Sequence, residues 1–177
     1  MILSSSSDNK ITEFKRILGN DLKIVKGKDL KEVDGTMDEV ILYKSLAAGK
    51  DFIVEDTILI INGKEVVDIR WNQEDKLKDR ENVQWITSLG YNDGHHIYIY
   101  RGIIEGKIVK PKGKGYGFDP YFLPNNSDLT LAELEEKGRK ELFSARKIAL
   151  MKLKEETFCS IIDIKSIKKW EGKYQND

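Results

Sequence analysis

Between Phe52 and Ile61 the chain reads Phe-Ile-Val-Glu-Asp-Thr-Ile-Leu-Ile-Ile, a strand-forming run with two acids near its centre. Apolar and β-branched residues at this density predict a buried strand. A carboxylate inside such a strand is expensive unless it is paired or bound to a cation. Glu55 and Asp56 therefore constrain the fold strongly. Either cationic partners from elsewhere in the chain converge on this strand, or a strand end or bulge exposes the acids to water.

The segments around it alternate between strand and helix patterns. Met1 to Leu3 reads as a short buried strand, followed by a polar turn of four serines, Asp8 and Asn9. Ile11, Phe14, Ile17 and Leu18 fall at helical spacing, and Gly19-Asn20 ends that helix. The turn sets Ser5, Ser6 and Ser7 at a helix N-terminus, where free N–H groups and the dipole favour an anion. Lys10 lies on the first turn; simple N-capping by serine is the structural alternative. Leu22 to Val25 is a second strand, Asp29 to Gly35 an acidic turn region, and Asp38 to Ala48 a helix stopped by Gly49. Asn62-Gly63 signals a hairpin, with its return strand in Glu65 to Trp71.

Farther on, Asn72 to Asn82 reads as a charged turn or helix start, Val83 to Leu89 as a helix, and Gly90 to Gly94 as a loop. His95 to Arg101 alternates as a strand, Arg101 to Gly106 reads as a tight turn, and Lys107 to Lys110 as the next strand. His95 and His96 have no third ligand at metal spacing and read as strand-edge residues. Asp128 to Glu136 is a helix capped by Thr130 or Asp128. Arg139 to Glu156 reads as one amphipathic helix with Leu142, Phe143, Ile148, Ala149 and Leu153 inward. The tail from Ile161 reads as a short packed strand with a frayed end.

Gly106 to Phe122 combines features that no packing rule demands together. Gly113, Gly115 and Gly117 alternate with Lys112, Lys114 and Tyr116, and Phe118, Asp119 and Pro120 follow. Cations, aromatic faces and a carboxylate so close together suit a loop that holds a nucleotide; an ordinary surface hairpin accounts for the same residues. Lys114 to Tyr121 partly matches the RNA-stacking strand of an RNA-recognition motif. There, however, Asp119 would set an acid beside the RNA and Pro120 a proline in a central strand. Thirty basic residues balance thirty acidic ones, so no general electrostatic grip on nucleic acid is indicated.

At 177 residues, 40% hydrophobic and 34% charged, the chain is globular, with material for one core-bearing domain of two lobes. The single cysteine, Cys159, permits no internal disulfide and fits a reducing compartment. The N-terminus lacks the pattern of a signal peptide, and no apolar run approaches the ~20 residues of a membrane span. A cytoplasmic protein with no membrane partner is the expectation.

Four segments carry a resemblance. Ser5-Ser-Ser7-Asp-Asn-Lys10-Ile-Thr-Glu13 resembles T-x-N-x-x-K-x-x-E, and Asp29-Leu-Lys-Glu32 with Gly35, Glu39 and Lys44 resembles D-L-x-E…E…K. Val54-Glu-Asp-Thr57 resembles V-E-D-[ST]. Gly113 to Phe122, with Thr130-Leu-Ala-Glu133, Lys140 and Ser144-Ala-Arg146, resembles G-x-G-[FY]-[GD]-x-D-P-x-F…T-x-A-E…K…S-H-R. Each motif alone is weak; four in order at compatible spacing are specific. Together, from the first strand to about Glu155, they resemble the inosine triphosphate pyrophosphatase family, which hydrolyses non-standard purine nucleoside triphosphates.

That resemblance implies an α/β fold: a long central mixed sheet flanked by helices, in two lobes with the active cleft between them. It implies one catalytic domain over residues 1–156, with 157–177 as a C-terminal extension, and a homodimer. Its reaction converts NTP and water to NMP and pyrophosphate with Mg²⁺. By position, Glu32 and Asp56 would bind the metal, and Asp56, assisted by Glu55, would prepare the attacking water. Ser5, Ser7, Lys10, Lys44 and Lys140 would contact phosphates. Tyr116 or Phe118 would cover the base, and Asp119, Ser144 and Arg146 would read its edge.

Two departures bear on specificity. The T-x-N turn is Ser5-Ser6-Ser7 here, without the amide. The S-H-R segment is Ser144-Ala145-Arg146, and alanine cannot donate to a 6-oxo group as the family's histidine does. Inosine, deoxyinosine and xanthosine triphosphates remain the expected substrates. The alternatives are a pyrophosphatase of the same fold with altered base specificity, or a non-catalytic nucleotide-binding protein.

Overall fold

The structure is a computed structural model and describes residues 1–19, 23–66, 82–115 and 117–175. The chain begins with β1 (Ile2–Ser5), α1 (Asp8–Leu18), β2 (Lys23–Lys26) and α2 (Met37–Ala48). Next come β3 (Phe52–Ile61), β4 (Lys64–Val66), β5 (Asn82–Asn92), β6 (His96–Ile108) and β7 (Phe122–Pro124). It closes with α3 (Leu131–Glu136), α4 (Ala145–Lys154) and β8 (Ser160–Asp163). Among the described residues these strands form one sheet in the order β2-β1-β3-β5-β6-β7, with β4 on β3 and β8 on β6. β1 runs parallel to β2 and β3, whereas β4 is antiparallel to β3 and both β7 and β8 are antiparallel to β6. The expected mixed α/β sheet is therefore present.

Two compact units share the chain. The first comprises Met1–Asp56, Ser88–Arg101 and Ala149–Asp177. Its core has two parts, separated by strand alternation. Leu3, Ile53, Leu89 and Tyr100 pack with Phe14 and Leu18 of α1 and with Ala149, Leu150 and Leu153 of α4. Val54, Ile97 and Ile99 pack instead with Ile41 of α2. Neighbouring strand residues point to opposite faces, so Ile53 and Val54 assign α1 and α4 to one face and α2 to the other. Ser7 caps α1, and Thr36 with Glu39 forms a capping box on α2.

The second unit comprises Thr57–Thr87 and Gly102–Ile148. Leu59, Val83, Ile108, Phe118, Phe122, Leu131 and Leu134 make its core. Thr130 and Glu133 form the capping box that starts α3, as expected of that threonine. Asn62 and Gly63, both with positive φ, turn β3 into β4 as the Asn-Gly signal predicts. The rest of the predicted return strand and the charged stretch up to residue 81 lie outside the described residues.

Four expectations are corrected. Val83 to Leu89 is strand, within β5, and Gly90 to Asn92 extends that strand where a loop was expected. β5 lies between β3 and β6 and is buried on both faces, so its sequence does not alternate and mimics a helix. Arg101 to Gly106 makes no turn, and β6 runs unbroken into the stretch expected as a separate strand. Gly106 serves close approach, since a Cβ there would collide with the Leu123 carbonyl oxygen of β7. Finally, Arg139 to Glu156 is divided into a 3-10 turn over Lys140–Phe143 and α4 beyond Ser144. The division leaves Leu142 66% exposed and Ile148 37% exposed, while Ala149 and Leu153 are buried as expected.

Candidate active site

The first unit gathers five charged side chains. β1 ends in the serine turn, and α1 begins there. Ser7 Oγ accepts the Lys10 N–H at 3.4 Å, and Ser5 Oγ accepts the Ser7 N–H at 3.2 Å. Both hydroxyls thus shape the helix start, and the capping alternative holds for Ser7. Lys10 Nζ, from the first turn of α1, pairs with Glu55 Oε2 at 2.6 Å. Lys44 of α2 pairs with Glu32, which lies between β2 and α2, and reaches Asp56 Oδ1 at 3.5 Å.

Strand alternation explains why adjacent acids have different partners. Glu55 follows Ile53 to the face covered by α1, and Asp56 follows Val54 to the face covered by α2. The two carboxylates are therefore not one paired site. Glu55 is 3% exposed and neutralised by Lys10, whereas Asp56 shares the Lys44 ammonium with Glu32. Burial lifts the Asp56 carboxyl above the ordinary aspartate value, against the pull of Lys44. For Lys44, burial is the largest single influence and favours the neutral amine. Asp56 and Glu32 together outweigh it and hold the ammonium above its ordinary value. Three carboxylates against two ammonium groups leave the cluster one negative charge in excess.

The donor chemistry suits a hard divalent cation. No group of three or more His, Cys, Asp and Glu side chains converges among the described residues. Mg²⁺ needs fewer: it takes one or two carboxylates and completes its shell with water and phosphate oxygens. Glu32 and Asp56, already drawn to one shared cation, meet that requirement.

The second unit carries the glycine-rich stretch. Its loop lies on the start of α3: a Cβ at Gly115 would come within 2.7 Å of the Ala132 Cβ. Thr130 Oγ1 donates to the Lys112 carbonyl at 2.8 Å, and the Lys114 N–H donates to Glu136 Oε1 at 2.6 Å. Residues Gly117 to Tyr121 form turns, so the RNA-stacking strand is absent there. Asp119 is buried and pairs with Lys140 Nζ at 2.7 Å, joining two residues expected in separate roles.

Phe118 is one of the two rings, with Tyr116, expected to cover a base. It is buried in the unit's core, 6.1 Å from the Trp85 ring and 6.0 Å from that of Tyr121. Tyr116 lies outside the described residues. Ser144 accepts the Lys147 N–H at 3.1 Å and so begins α4, with Ala145 buried beside it and Arg146 half-buried. The sequence did not signal that the tail supports Glu32: the Gln175 N–H donates to the Glu32 carbonyl at 2.9 Å.

A family model described as the Ham1 family matches residues 1–156. The chain belongs to the Ham1 family. A dITP/XTP pyrophosphatase of Korarchaeum cryptofilum is 31% identical over 178 residues, covering 88% of this chain and 94% of that protein. An inosine triphosphate pyrophosphatase of Schizosaccharomyces pombe is 29% identical over 176 residues, covering 88% of this chain and 93% of its own. The solved Ham1 protein of Staphylococcus aureus superposes with a TM-score of 0.67 at 24% identity, over 88% of this chain and 96% of that one. That likeness establishes the fold, and the two sequence relatives bear out the resemblance carried by the four motifs. The Ham1 match spans the five charged side chains of the first unit and the Asp119–Lys140 pair of the second. No described helix is long and apolar enough to cross a membrane.

Proposed function

We propose that the chain is a Mg²⁺-dependent pyrophosphatase of non-standard purine nucleoside triphosphates, releasing the monophosphate and pyrophosphate. The observation that carries the reading is the convergence of Glu32 and Asp56 on a single cationic group inside a Ham1 fold. Relatives bearing the names inosine triphosphate and dITP/XTP pyrophosphatase support the substrate class.

Glu32 and Asp56 would hold the metal, which when bound neutralises phosphate charge and helps to align the nucleophile. Asp56 orients a water at the α-phosphorus and takes its proton. The water oxygen forms the new P–O bond while the bond to the β-phosphate bridge oxygen breaks, and pyrophosphate carries the bonding pair away. Glu55 keeps Lys10 at the start of α1, where both the ammonium and the helix dipole favour phosphate. With a metal held by Glu32 and Asp56, Lys44 would be free of the two carboxylates and could serve the phosphates. Lys140 steadies Asp119, and Asp119, Ser144 and Arg146 face the base. Phe118 supports that wall from within the core.

Pyrophosphate release from a panel of ITP, dITP, XTP, dUTP, ATP and dATP with Mg²⁺ tests the reading. Turnover of the 6-oxo purines above the others is expected; release from none of them rejects it. Binding without turnover would instead make the chain a nucleotide sensor. The same reading makes the protein a cytosolic homodimer, and light scattering at micromolar concentration tests the dimer.

A further inference from the structure

The Ham1 match ends at residue 156, yet the chain beyond it packs on the segment that carries Glu32, one of the residues proposed to bind metal. β8 pairs with the start of β6, and Ile162, Ile164 and Ile167 pack against the core beneath α2. The chain then turns around its own indole. Trp170 Nε1 donates to the Lys173 carbonyl at 2.9 Å, and a Cβ on Gly172 would lie 2.6 Å from the Trp170 ring. The indole meets Tyr43 edge-on at 5.1 Å, and Tyr43 Oη donates to the Lys168 carbonyl at 2.8 Å.

From there the tail holds the segment that carries Glu32. The Asp34 N–H donates to the Lys173 carbonyl, and Val33 bridges to Tyr174. The Gln175 N–H donates to the Glu32 carbonyl, and Gln175 Nε2 donates to that of Val33 at 3.1 Å. Lys31 Nζ lies 4.4 Å above the Tyr174 ring. Glu32 belongs to no helix or longer strand, so these contacts give its backbone a fixed partner. Tyr43, the other residue gripped, immediately precedes Lys44.

We infer that residues 168–175 are a positioning element for Glu32 and Lys44, setting the metal-binding geometry from outside the family-matched segment. The inference rests on the proposed metal role of Glu32. Groups that orient a metal ligand typically govern affinity by about ten- to a hundredfold.

The test uses the full chain, a Trp170→Ala variant, a Trp170→Phe variant and a chain lacking residues 170–177. Mn²⁺ affinity is measured by titration of the free ion's EPR signal, and amide exchange is followed at Asp34, whose N–H donates to the Lys173 carbonyl. Trp170→Ala and the deletion are expected to weaken Mn²⁺ binding about tenfold. They should also speed exchange at Asp34 while Leu3 and Ile53 stay protected. Trp170→Phe, which keeps an aromatic edge for Tyr43, should restore most of the affinity. In turnover, the half-activating Mg²⁺ concentration should rise with little change in KM for nucleotide at saturating metal. Unchanged Mn²⁺ affinity in a folded Trp170→Ala variant overturns the inference. A wild-type protein that releases no pyrophosphate, yet whose Mn²⁺ affinity depends on the tail, overturns the function alone.

Discussion

Asp56 and Asp93 are both aspartates with shifted proton affinities, and the shifts run in opposite directions for identifiable reasons. Burial raises the Asp56 carboxyl despite Lys44. Asp56→Asn should retain the fold and lower kcat by about 10²–10⁴, as expected for removal of a general base; steady-state kinetics with a thermal melt measure both. Asp93 accepts N–H groups of His95 at 2.7 Å and His96 at 2.6 Å, and the Tyr98 hydroxyl at 3.2 Å. Desolvation opposes ionisation, but these donors prevail and hold the carboxyl below its ordinary value of 3.8. Its stabilisation is therefore complete above that value and is lost as pH falls through the lower folded-state value. Asp93→Ala should cost about 1–3 kcal/mol in urea unfolding at neutral pH, and the gap should close in acid. Ala145→His faces a different obstacle. Ala145 is 2% exposed, so an imidazole there should cost about 1–3 kcal/mol from overpacking while it adds a donor for 6-oxo purines. A lower melting temperature with a sharper ITP-over-ATP ratio is the expected result. At this scale the sequence revealed the cost of Glu55 and Asp56 but not their partners. Lys10 and Lys44 reach them from different helices, and only the pleat of β3 determines which acid meets which lysine.

Elements were legible where one pattern dominated. α1, α2 and α3 were readable from capping residues and apolar spacing, and their observed caps are Ser7, Thr36 and Thr130. β5 was not, because a strand buried on both faces loses the alternation by which strands are recognised. Glycines misled in β6: they read as a turn, whereas Gly106 makes room for the Leu123 carbonyl. Gly106→Ala should therefore destabilise by about 1–3 kcal/mol and loosen the β6–β7 pairing, visible as faster amide exchange at Lys107. The opposite outcome is expected at Leu142. Read as one long helix, the segment buries this side chain; the 3-10 turn exposes it. Leu142→Lys should change stability by no more than about 0.5 kcal/mol, and a larger loss would restore the continuous helix.

Across the whole molecule, each unit is assembled from separated pieces of chain. The first unit's core joins Leu3 and Phe14, near the start, to Ala149, Leu150 and Leu153 of α4. Contacts so distant in sequence were invisible to local patterns, which is why the resemblance gave the architecture and the periodicities gave only its parts. They also order events during synthesis. A ribosome delivers Leu3 and Phe14 long before α4, and at roughly 5–20 residues per second the wait lasts many seconds. Throughout that interval the apolar face of α1 has no α4 to cover it, and non-local closure is intrinsically slow. Nascent chains arrested at Lys147 should be cut readily within α1 by a dilute protease, and chains extended past Lys154 on a linker should resist it. Completion of the first unit is thus a late event in biosynthesis, which makes the half-made chain a client for any chaperone that shields exposed apolar helices.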